Sequence, residues 1–527
     1  MNKNRQSVIG NHKFSVLRSA GIVSGCTVFS RFLGLIRDIL MAGAFGTSLV
    51  MSAFVVAFTV PNLFRRLFGE GALSAAFVPV LVETREKEGD AAAWKFVNRV
   101  LSLLFTVLTI MTLIIIVAVA FIPAASEKTG AVFSLLQIMM PYMIFICLAA
   151  VSMGILNSFH HFAVPAFAPG ILNILWIGAL IFCVPFFGKT PEEKIRFVAW
   201  AVLLAGVLQW AVQWPVLRRF GWSPEFTAQW NTPRIRRMLL LMGPAAVGMA
   251  VTQVNVMVDR LLALWIGQGA PAALFYSERL VYFPLGIIAT ALGTVLLPVF
   301  SKHAARADHS QILAGISDGL RHLLFIMTPA AAGLLIMAFP IVRMIFEWQA
   351  FDSASTWMTA AALICYAPGL VVFSLAKVFV PAFYALKDTK TPVRIGAGAV
   401  LLNLILNLIF IFTLPQNIKH AGIAAATVIA EAANIFCLAF ILQRRIGAPD
   451  WRRIIATAWR SLTAAVLMSA VCILVYNLLP HGSKPAQIIS VLLSIGAGAG
   501  MYFTVGILFR MEEIREFLRV FNKRNNS

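Results

Sequence analysis

Arginine side chains are the strongest candidates for chemistry in this sequence, because several lie in or beside segments apolar enough to cross a membrane. They are Arg31, Arg37, Arg65, Arg66, Arg260 and Arg279. An arginine at the centre of a spanning helix costs roughly 2.5–3.5 kcal/mol on insertion scales. Arginines kept at this cost indicate a polar, positively lined cavity in which guanidinium groups meet an anion.

The carboxylates near these arginines are too few to neutralise them. Arg31 and Asp38 are seven residues apart and share a helix face, while Arg37 lies about 100° round the same helix. An arginine–aspartate pair that only stabilises the bundle is one interpretation. It leaves a positive surplus, because Glu70 and Glu278 are the other acids close by. A guanidinium fork matches phosphate or carboxylate, so we expect an anionic substrate headgroup.

Two prolines interrupt the helices that carry these arginines. Pro61 comes one turn before Arg65, and Pro284 follows Arg279 by a similar distance. Proline removes a backbone hydrogen bond and kinks a helix. Broken helices at matched positions in two halves are typical of a binding or gating region in transporters. Harmless kinks, which membrane helices tolerate, are the alternative.

A second polar group lies in the C-terminal half. Asn403 and Asn407 are four residues apart on one predicted helix face, as are Thr427 and Glu431 on the next helix, and Asp259 is the natural third contributor. These hard oxygen ligands predict a Na⁺ site, or a proton carried by the two carboxylates. Hydrogen bonding between helices is the alternative.

The elements that position these residues are membrane-spanning helices. Of the 527 residues, 60% are hydrophobic and 12% are charged, against about 25% charged in soluble proteins. Apolar runs predict fourteen spans, including one over 319–346, and the longest loops are 218–237 and 301–318. The net charge of +21 is spread over alternate short loops, which excludes a nucleic-acid partner and places both termini in the cytoplasm.

The chain also repeats itself. Arg37-Asp38 is echoed by Asp259-Arg260, and Pro61 by Pro284, at offsets of 222 and 223 positions. This spacing predicts two six-helix lobes related as a parallel repeat, with two helices added after them. The predicted divisions are a cytoplasmic tail at 1–18, lobes at 19–230 and 231–446, and the added helices with a basic tail at 447–527. No ATP-binding motif or catalytic constellation accompanies them, so the sequence predicts a transporter rather than an enzyme.

Several stretches have a distinctive order of residues. They are Phe29-Ser-Arg-Phe-Leu-Gly-Leu-Ile-Arg-Asp38, Pro61-Asn-Leu-Phe-Arg-Arg66, Gly154-Ile-Leu-Asn-Ser158, Glu278-Arg279 and Lys390-Thr-Pro392. Together they resemble the MurJ (MviN) family of bacterial lipid II flippases, in the multidrug/oligosaccharidyl-lipid/polysaccharide exporter superfamily. The resemblance covers essentially all the spans.

The resemblance implies transport of lipid II, the undecaprenyl-pyrophosphate-linked peptidoglycan precursor, from the inner to the outer leaflet of the bacterial cytoplasmic membrane. It implies that Arg37, Asp38 and Arg279 engage the pyrophosphate. The substrate-binding set expected on this basis is Arg31, Arg37, Asp38, Arg65, Arg279 and Glu70. The added helices would hold the lipid tail, and Asp259, Asn403, Asn407 and Thr427 resemble a sodium site of some relatives. Membrane lipids and other cell-wall synthesis proteins are the further expected partners, with no cofactor beyond a coupling Na⁺ or H⁺.

Two positions depart from the family pattern. Ser52 stands where some relatives have an aspartate, which enlarges the positive surplus. Asn407 stands where a carboxylate ligand can occur, which predicts a weaker or differently coupled ion site. An O-antigen-type lipid flippase, a multidrug antiporter and a cell-envelope scaffold are the competing functions. An antiporter for cationic drugs would need a surplus of acids, and a scaffold would not need buried arginines.

Overall fold

The computed structural model describes residues 25–515, without the side chains at positions 69, 70, 72, 74, 75, 244 and 245. All regular secondary structure in this range is helical. Eleven of the described helices could cross a membrane, or thirteen when each of two bent pairs counts as one span. The predicted all-α membrane architecture is therefore confirmed. The count of fourteen stays a prediction, because the first predicted span begins outside the described residues.

The contacts divide the chain into two compact units between Leu264 and Trp265. Helices of the first unit are α1 (25–45), α2 (Leu49–Phe64), α3 (Ala72–Glu88), α4 (Asp90–Phe121), α5 (Glu127–Met139), α6 (Tyr142–Ser158), α7 (Ala163–Gly178), α8 (Val184–Phe187), α9 (Pro191–Ala211), α10 (Trp214–Arg219) and most of α11 (Pro233–Ile266). Its core lies around α6, most of whose side chains between 142 and 156 are buried. A helix that is apolar all round belongs in such a core.

The second unit follows the same plan and adds two long helices. Its helices are α12 (Ala270–Pro284), α13 (Thr290–Ala304), α14 (His309–Ile336), α15 (Ala338–Phe346), α16 (Ser353–Tyr366), α17 (Gly369–Ala385), α18 (Lys390–Thr413), α19 (Lys419–Ile446), α20 (Trp451–Leu478) and α21 (Lys484–Leu508). Most of α11 makes its contacts within the first unit. In the predicted sequence repeat, by contrast, α11 is the first helix of the second copy. The predicted divisions at 230 and 446 stay predictions.

The predicted span over 319–346 has the wrong ends. Asp308 accepts a hydrogen bond from the backbone N–H of Gln311, so α14 begins at His309, inside the predicted 301–318 loop. Such N-caps satisfy donors that the first helical turn leaves without partners. The helix ends at Ile336, and α15 is a separate helix after a break at Met337.

The helices that carry Pro61 and Pro284 widen in the same way. A π-helical segment, Arg65–Gly71, follows α2, and another, Leu285–Ala289, follows α12. Proline lacks the N–H of a regular turn, and a wider turn accommodates the changed register. Short π-helical segments within α-helices are frequent at functional sites.

Two bends and two turns recur at one spacing. The bend between α5 and α6 at Pro141 is 45°, and the bend between α16 and α17 at Pro368, 227 positions later, is 42°. His160 and Lys387, again 227 positions apart, both have a left-handed backbone with φ of 59°. Neither is a glycine, although this region strongly favours glycine. These matches support the internal repeat that the sequence predicts.

One buried arginine of the second unit has a structural role. Arg321 on α14 donates from Nε to Glu513 at 2.9 Å and from Nη2 to Glu512 at 2.7 Å. Thr457 on α20 donates to the same Glu513 oxygen at 2.8 Å. Two carboxylates and a hydroxyl thus surround the guanidinium. The cluster joins α14 and α20 to the segment after α21.

Candidate functional site

The first unit buries an arginine–aspartate pair at the middle of the predicted substrate set. Arg37 is 7% exposed and Asp38 is 2% exposed, both on α1. The Nε and Nη2 atoms of Arg37 donate to Asp38 Oδ1 at 2.9 and 2.7 Å. From α7, Asn173 Oδ1 accepts from Nη1 of Arg37 at 2.9 Å. Because a guanidinium has five N–H donors, these bonds leave two of them for a further acceptor.

Aromatic side chains hold the Arg37 guanidinium in place. Its central carbon lies 4.4 Å from the ring centroid of Trp176, one turn after Asn173 on α7. Phe54 and Phe58 of α2 meet the Trp176 ring edge-on at 5.1 and 5.5 Å. A cation over a desolvated indole gains about 2 kcal/mol, which offsets part of the cost of burial. The arginine is therefore rigid and oriented before any ligand arrives.

Asn173 and Trp176 are functional candidates that the sequence motifs did not indicate. Asn173 also donates from Nδ2 to the backbone carbonyl of Ser30 at 2.9 Å, so it joins α7 to α1 through both Ser30 and Arg37. A signal was present in the sequence, because Asn173 is the only amide side chain in the apolar run of residues 164–187. A lone amide in an apolar span needs a buried partner.

The other arginines of the first unit are more accessible. Arg31 is half-buried and has no carboxylate within ion-pair distance among the described side chains. Arg65 is half-buried at the start of the π-helical segment and donates to Asn62 Oδ1 at 2.8 Å. Arg66 is exposed and reaches Gln253 Oε1 at 3.4 Å. The side chain of Glu70, the remaining member of the predicted set, lies outside the described residues.

Ser52 marks a departure from the expected pattern inside this unit. It is fully buried on α2, and its hydroxyl makes no hydrogen bond to any described residue. A carboxylate at this position would be desolvated and would need a cation beside it. The serine leaves the first unit with a single buried acid, Asp38, among its described side chains.

In the second unit, Arg279 and Glu278 lie half-buried on α12, shortly before Pro284. The Arg279 guanidinium carbon is 4.5 Å from the ring centroid of Phe275. Tyr366 of α16 donates its hydroxyl to Glu278 Oε1 at 3.1 Å. This stacked guanidinium precedes a π-helical segment, whereas Arg65 of the first unit begins one.

The candidate ion ligands of the second unit lie on α18 and α19. Asn403 and Asn407 are 1% and 0% exposed, one helical turn apart. Thr427 donates its hydroxyl proton to the carbonyl of Ile423 at 3.0 Å. Amide and hydroxyl oxygens are hard donors that suit Na⁺. Asp259 belongs to the first unit, where Asn255 donates to its carboxylate at 3.5 Å.

A family model described as lipid II flippase MurJ matches residues 41–491. The chain belongs to the MurJ family. Curated MurJ relatives are similar over most of their length. The lipid II flippase MurJ of Burkholderia cenocepacia is 35% identical over 454 residues, which is 83% of this chain and 86% of the relative. The "Probable lipid II flippase MurJ" of Rhizobium tropici is 35% identical over 511 residues, or 94% of each chain.

Solved structures agree with the MurJ assignment. A lipid II flippase MurJ in an inward closed conformation has a TM-score of 0.75 and 27% identity, covering 93% of this chain and 98% of that one. An inward-facing multidrug resistance MATE family transporter of the MOP superfamily has a TM-score of 0.63 at 14% identity, covering 79% and 94%. The second likeness shows the fold alone. The MurJ resemblance predicted from the sequence is confirmed, and the chain is a multi-pass membrane transporter.

Proposed function

We propose that this chain moves lipid II from the inner to the outer leaflet of the bacterial cytoplasmic membrane by alternating access. Its membership of the MurJ family supports the substrate. The structural observation that carries the proposal is the Arg37 guanidinium, buried and oriented, with two N–H donors left for an anion. A pyrophosphate supplies oxygens that match such a fork.

Asp38, Asn173 and Trp176 act as positioning residues for Arg37. They hold the guanidinium at three nitrogens and over one face, so its two remaining donors keep a fixed direction. Preorganised donors do not lose side-chain freedom when the headgroup binds, which strengthens binding. Arg31 and Arg65, half-buried in the same unit, add positive charge for the headgroup. We propose the same pyrophosphate contact for Arg279, which is half-buried on α12.

For energy coupling, we propose that Na⁺ binds the oxygen ligands Asp259, Asn403, Asn407 and Thr427. The full burial of both asparagines supports this assignment, because a desolvated amide oxygen gains most from a cation. A proton carried by Asp259 or Glu431 is the competing mechanism. The membrane potential supplies about 2.3 kcal/mol per charge per 100 mV in either case.

The added helices provide a surface for the lipid tail. We propose that α20 and α21 hold part of the undecaprenyl chain, as the apolar side chains on their outer faces suggest. Trp459, Leu478 and Leu508 are 69%, 74% and 73% exposed. We place both termini in the cytoplasm on the charge of the loops, and membrane lipids and other cell-wall synthesis proteins complete the proposed partners.

A flippase for another polyprenyl-pyrophosphate-linked glycan is the second candidate, because the charged part of its headgroup would be the same. The positive charge of the site argues against a multidrug antiporter. The Arg37 guanidinium, which is buried and keeps two N–H donors, repels cationic drugs.

Reconstitution with labelled lipid II tests the proposal. Vesicles that contain the protein are scored for leaflet exchange of lipid II and, in parallel, of an O-antigen-type precursor. We expect exchange of lipid II that Arg37→Ala and Arg37→Lys abolish, since lysine cannot reproduce the fork. Arg66→Ala is the matched control, because Arg66 is an exposed arginine of the same unit. Equal exchange by Arg37→Ala and the wild type would refute the assignment of Arg37.

A further inference from the structure

The repeat places an arginine pair at the end of a helix in each unit. Arg218 and Arg219 end α10, and Arg444 and Arg445 come close to the end of α19, 226 positions later. A glycine with a left-handed backbone follows each pair, Gly221 with φ of 92° and then Gly447 with φ of 101°. The two pairs thus occupy matched places, yet their surroundings differ.

In the second unit the protein itself neutralises one member of the pair, Arg445. Arg445 Nη1 lies 2.6 Å from Asp388 Oδ2, and its Nη2 donates to the Thr391 hydroxyl at 3.4 Å. Arg444 stacks on Phe440, with its guanidinium carbon 4.3 Å from the ring centroid. Asp388 comes directly after Lys387, the residue with the left-handed backbone.

In the first unit the equivalent carboxylate is missing. His161 occupies the place of Asp388, directly after the left-handed His160. Among the described side chains, neither Arg218 nor Arg219 has an ion-pair partner. The Arg218 guanidinium instead lies 5.9 Å from the ring centroid of Trp214. Two exposed positive charges therefore remain at the end of a spanning helix.

These arginines border an apolar groove on the outer face of the first unit. Trp214, Pro215 and Ala211 line its basic end with them, in an open space of about 590 Å³. Ala211 also borders an adjoining space of about 430 Å³ between α7 and α9. The other residues around that space are Ile171, Ile174, Leu175, Leu208 and Val212. The opposite face of α7 carries Asn173 and Trp176, so the helix separates this groove from Arg37.

We infer that this groove binds an anionic diacyl phospholipid. The headgroup phosphate lies against Arg218 and Arg219, and an acyl chain follows the apolar space between α7 and α9. Basic pockets between spanning helices bind anionic headgroups in this way, and tryptophan prefers the membrane interface. The apolar walls are partly open to the bilayer, since Ile174 and Leu208 are 44% and 39% exposed. A phospholipid therefore enters sideways from the membrane.

Native mass spectrometry of the purified full-length protein tests this assignment. The protein is titrated with phosphatidylglycerol, with phosphatidylcholine of the same acyl chains, and with inorganic phosphate. We expect one phosphatidylglycerol to be retained in preference to phosphatidylcholine. The double variant Arg218→Gln/Arg219→Gln should lower that affinity about 25-fold, since each surface arginine contributes about fivefold. Retention of phosphatidylcholine should not change.

Three further variants test whether lipid binding depends on the positive charge alone, on the position of that charge, or on the groove. Arg444→Gln/Arg452→Gln removes the same charge from exposed arginines elsewhere and should have no effect. His161→Asp should weaken phosphatidylglycerol binding, because it supplies the carboxylate that Asp388 supplies in the second unit. Ala211→Trp fills the groove and should weaken both lipids. Unchanged phosphatidylglycerol affinity in the Arg218/Arg219 variant would overturn the inference. Phosphate binding as tightly as the lipid, or displacement of the lipid by lipid II, would overturn it too.

Discussion

The two units use similar helices to present opposite chemistry. In the first, α1 and α7 bury a guanidinium whose remaining N–H groups donate hydrogen bonds. In the second, α18 buries the amides of Asn403 and Asn407, whose oxygens are of the hard type that suits a cation. Trp176 and Asn403 are 227 positions apart, so an indole over a cation in one copy corresponds to an amide in the other. The proposed anion donors of Arg37 thus lie in one half of a duplicated scaffold, and three of the four proposed Na⁺ ligands lie in the other.

The largest expected effect is the loss of lipid II exchange when Arg37 is replaced. Two variants separate the structural role of Arg37 from its functional role. Arg37→Ala leaves Asp38 buried without its cation, which costs about 3–5 kcal/mol, and lipid II exchange should fall at least 100-fold. The double variant Arg37→Ala/Asp38→Ala should recover thermal stability but not exchange. Stability is measured by thermal unfolding in detergent and exchange in vesicles. Recovery of exchange in the double variant would show that Arg37 serves the fold alone.

A buried arginine outside the proposed site should behave in the opposite way. Arg321→Ala leaves Glu513 buried and unpaired, which should destabilise the protein by about 3–5 kcal/mol. Arg321→Ala/Glu513→Ala should then regain both stability and lipid II exchange, since neither residue belongs to the substrate set. Thermal unfolding and vesicle exchange are again measured. A stable but inactive double variant would extend the functional arginines beyond Arg37.

The second unit should respond to sodium through its buried amides. Asn407→Ala should weaken Na⁺ binding roughly tenfold, since one of four proposed oxygen ligands is lost, while Asn407→Asp should strengthen it. Binding of radioactive sodium to the purified protein measures both changes. Asn434→Ala is the control, because Asn434 hydrogen-bonds Glu431 outside the proposed ligand set. If the wild type and every variant fail to bind sodium, and lipid II exchange does not depend on sodium, the result would favour the proton mechanism.

The smallest expected effect is a loss of stability when Asp388 is replaced, next to the left-handed turn at Lys387. Burial opposes ionisation of Asp388, but hydrogen bonds from Thr391 and the charge of Arg445 hold its pKa below the usual value. Asp388→Asn should cost about 1 kcal/mol near neutral pH, the typical contribution of a helix-capping carboxylate. Because the folded pKa is lowered, this difference should exist above pH of about 3.9 and disappear as the pH falls through the folded pKa. Thermal unfolding at several pH values measures it, and a pH-independent difference would contradict the ion pair.

Much of the architecture could be predicted from local sequence. Apolar runs predicted the helices, and Pro61 and Pro284 marked where α2 and α12 give way to π-helical segments. The turns at His160 and Lys387 could not be predicted, because left-handed backbone at a non-glycine residue leaves no residue signature. The start of α14 was missed because the Asp308 cap lies in a polar stretch that resembles a loop.

The sequence by itself determined that this chain is a membrane transporter of the MurJ family and that arginines lie in its apolar segments. The tertiary structure decided which arginines are oriented. Asn173 lies 136 positions from Arg37, and Asp388 lies 57 positions from Arg445, so neither pairing follows from local spacing. Hydrogen bonds and stacking depend on how neighbouring helices are rotated and aligned, and the packing of whole side-chain surfaces sets that rotation. Consequently an aspartate neutralises one arginine of the pair in one copy of the repeat, and we infer that both arginines meet a lipid in the other.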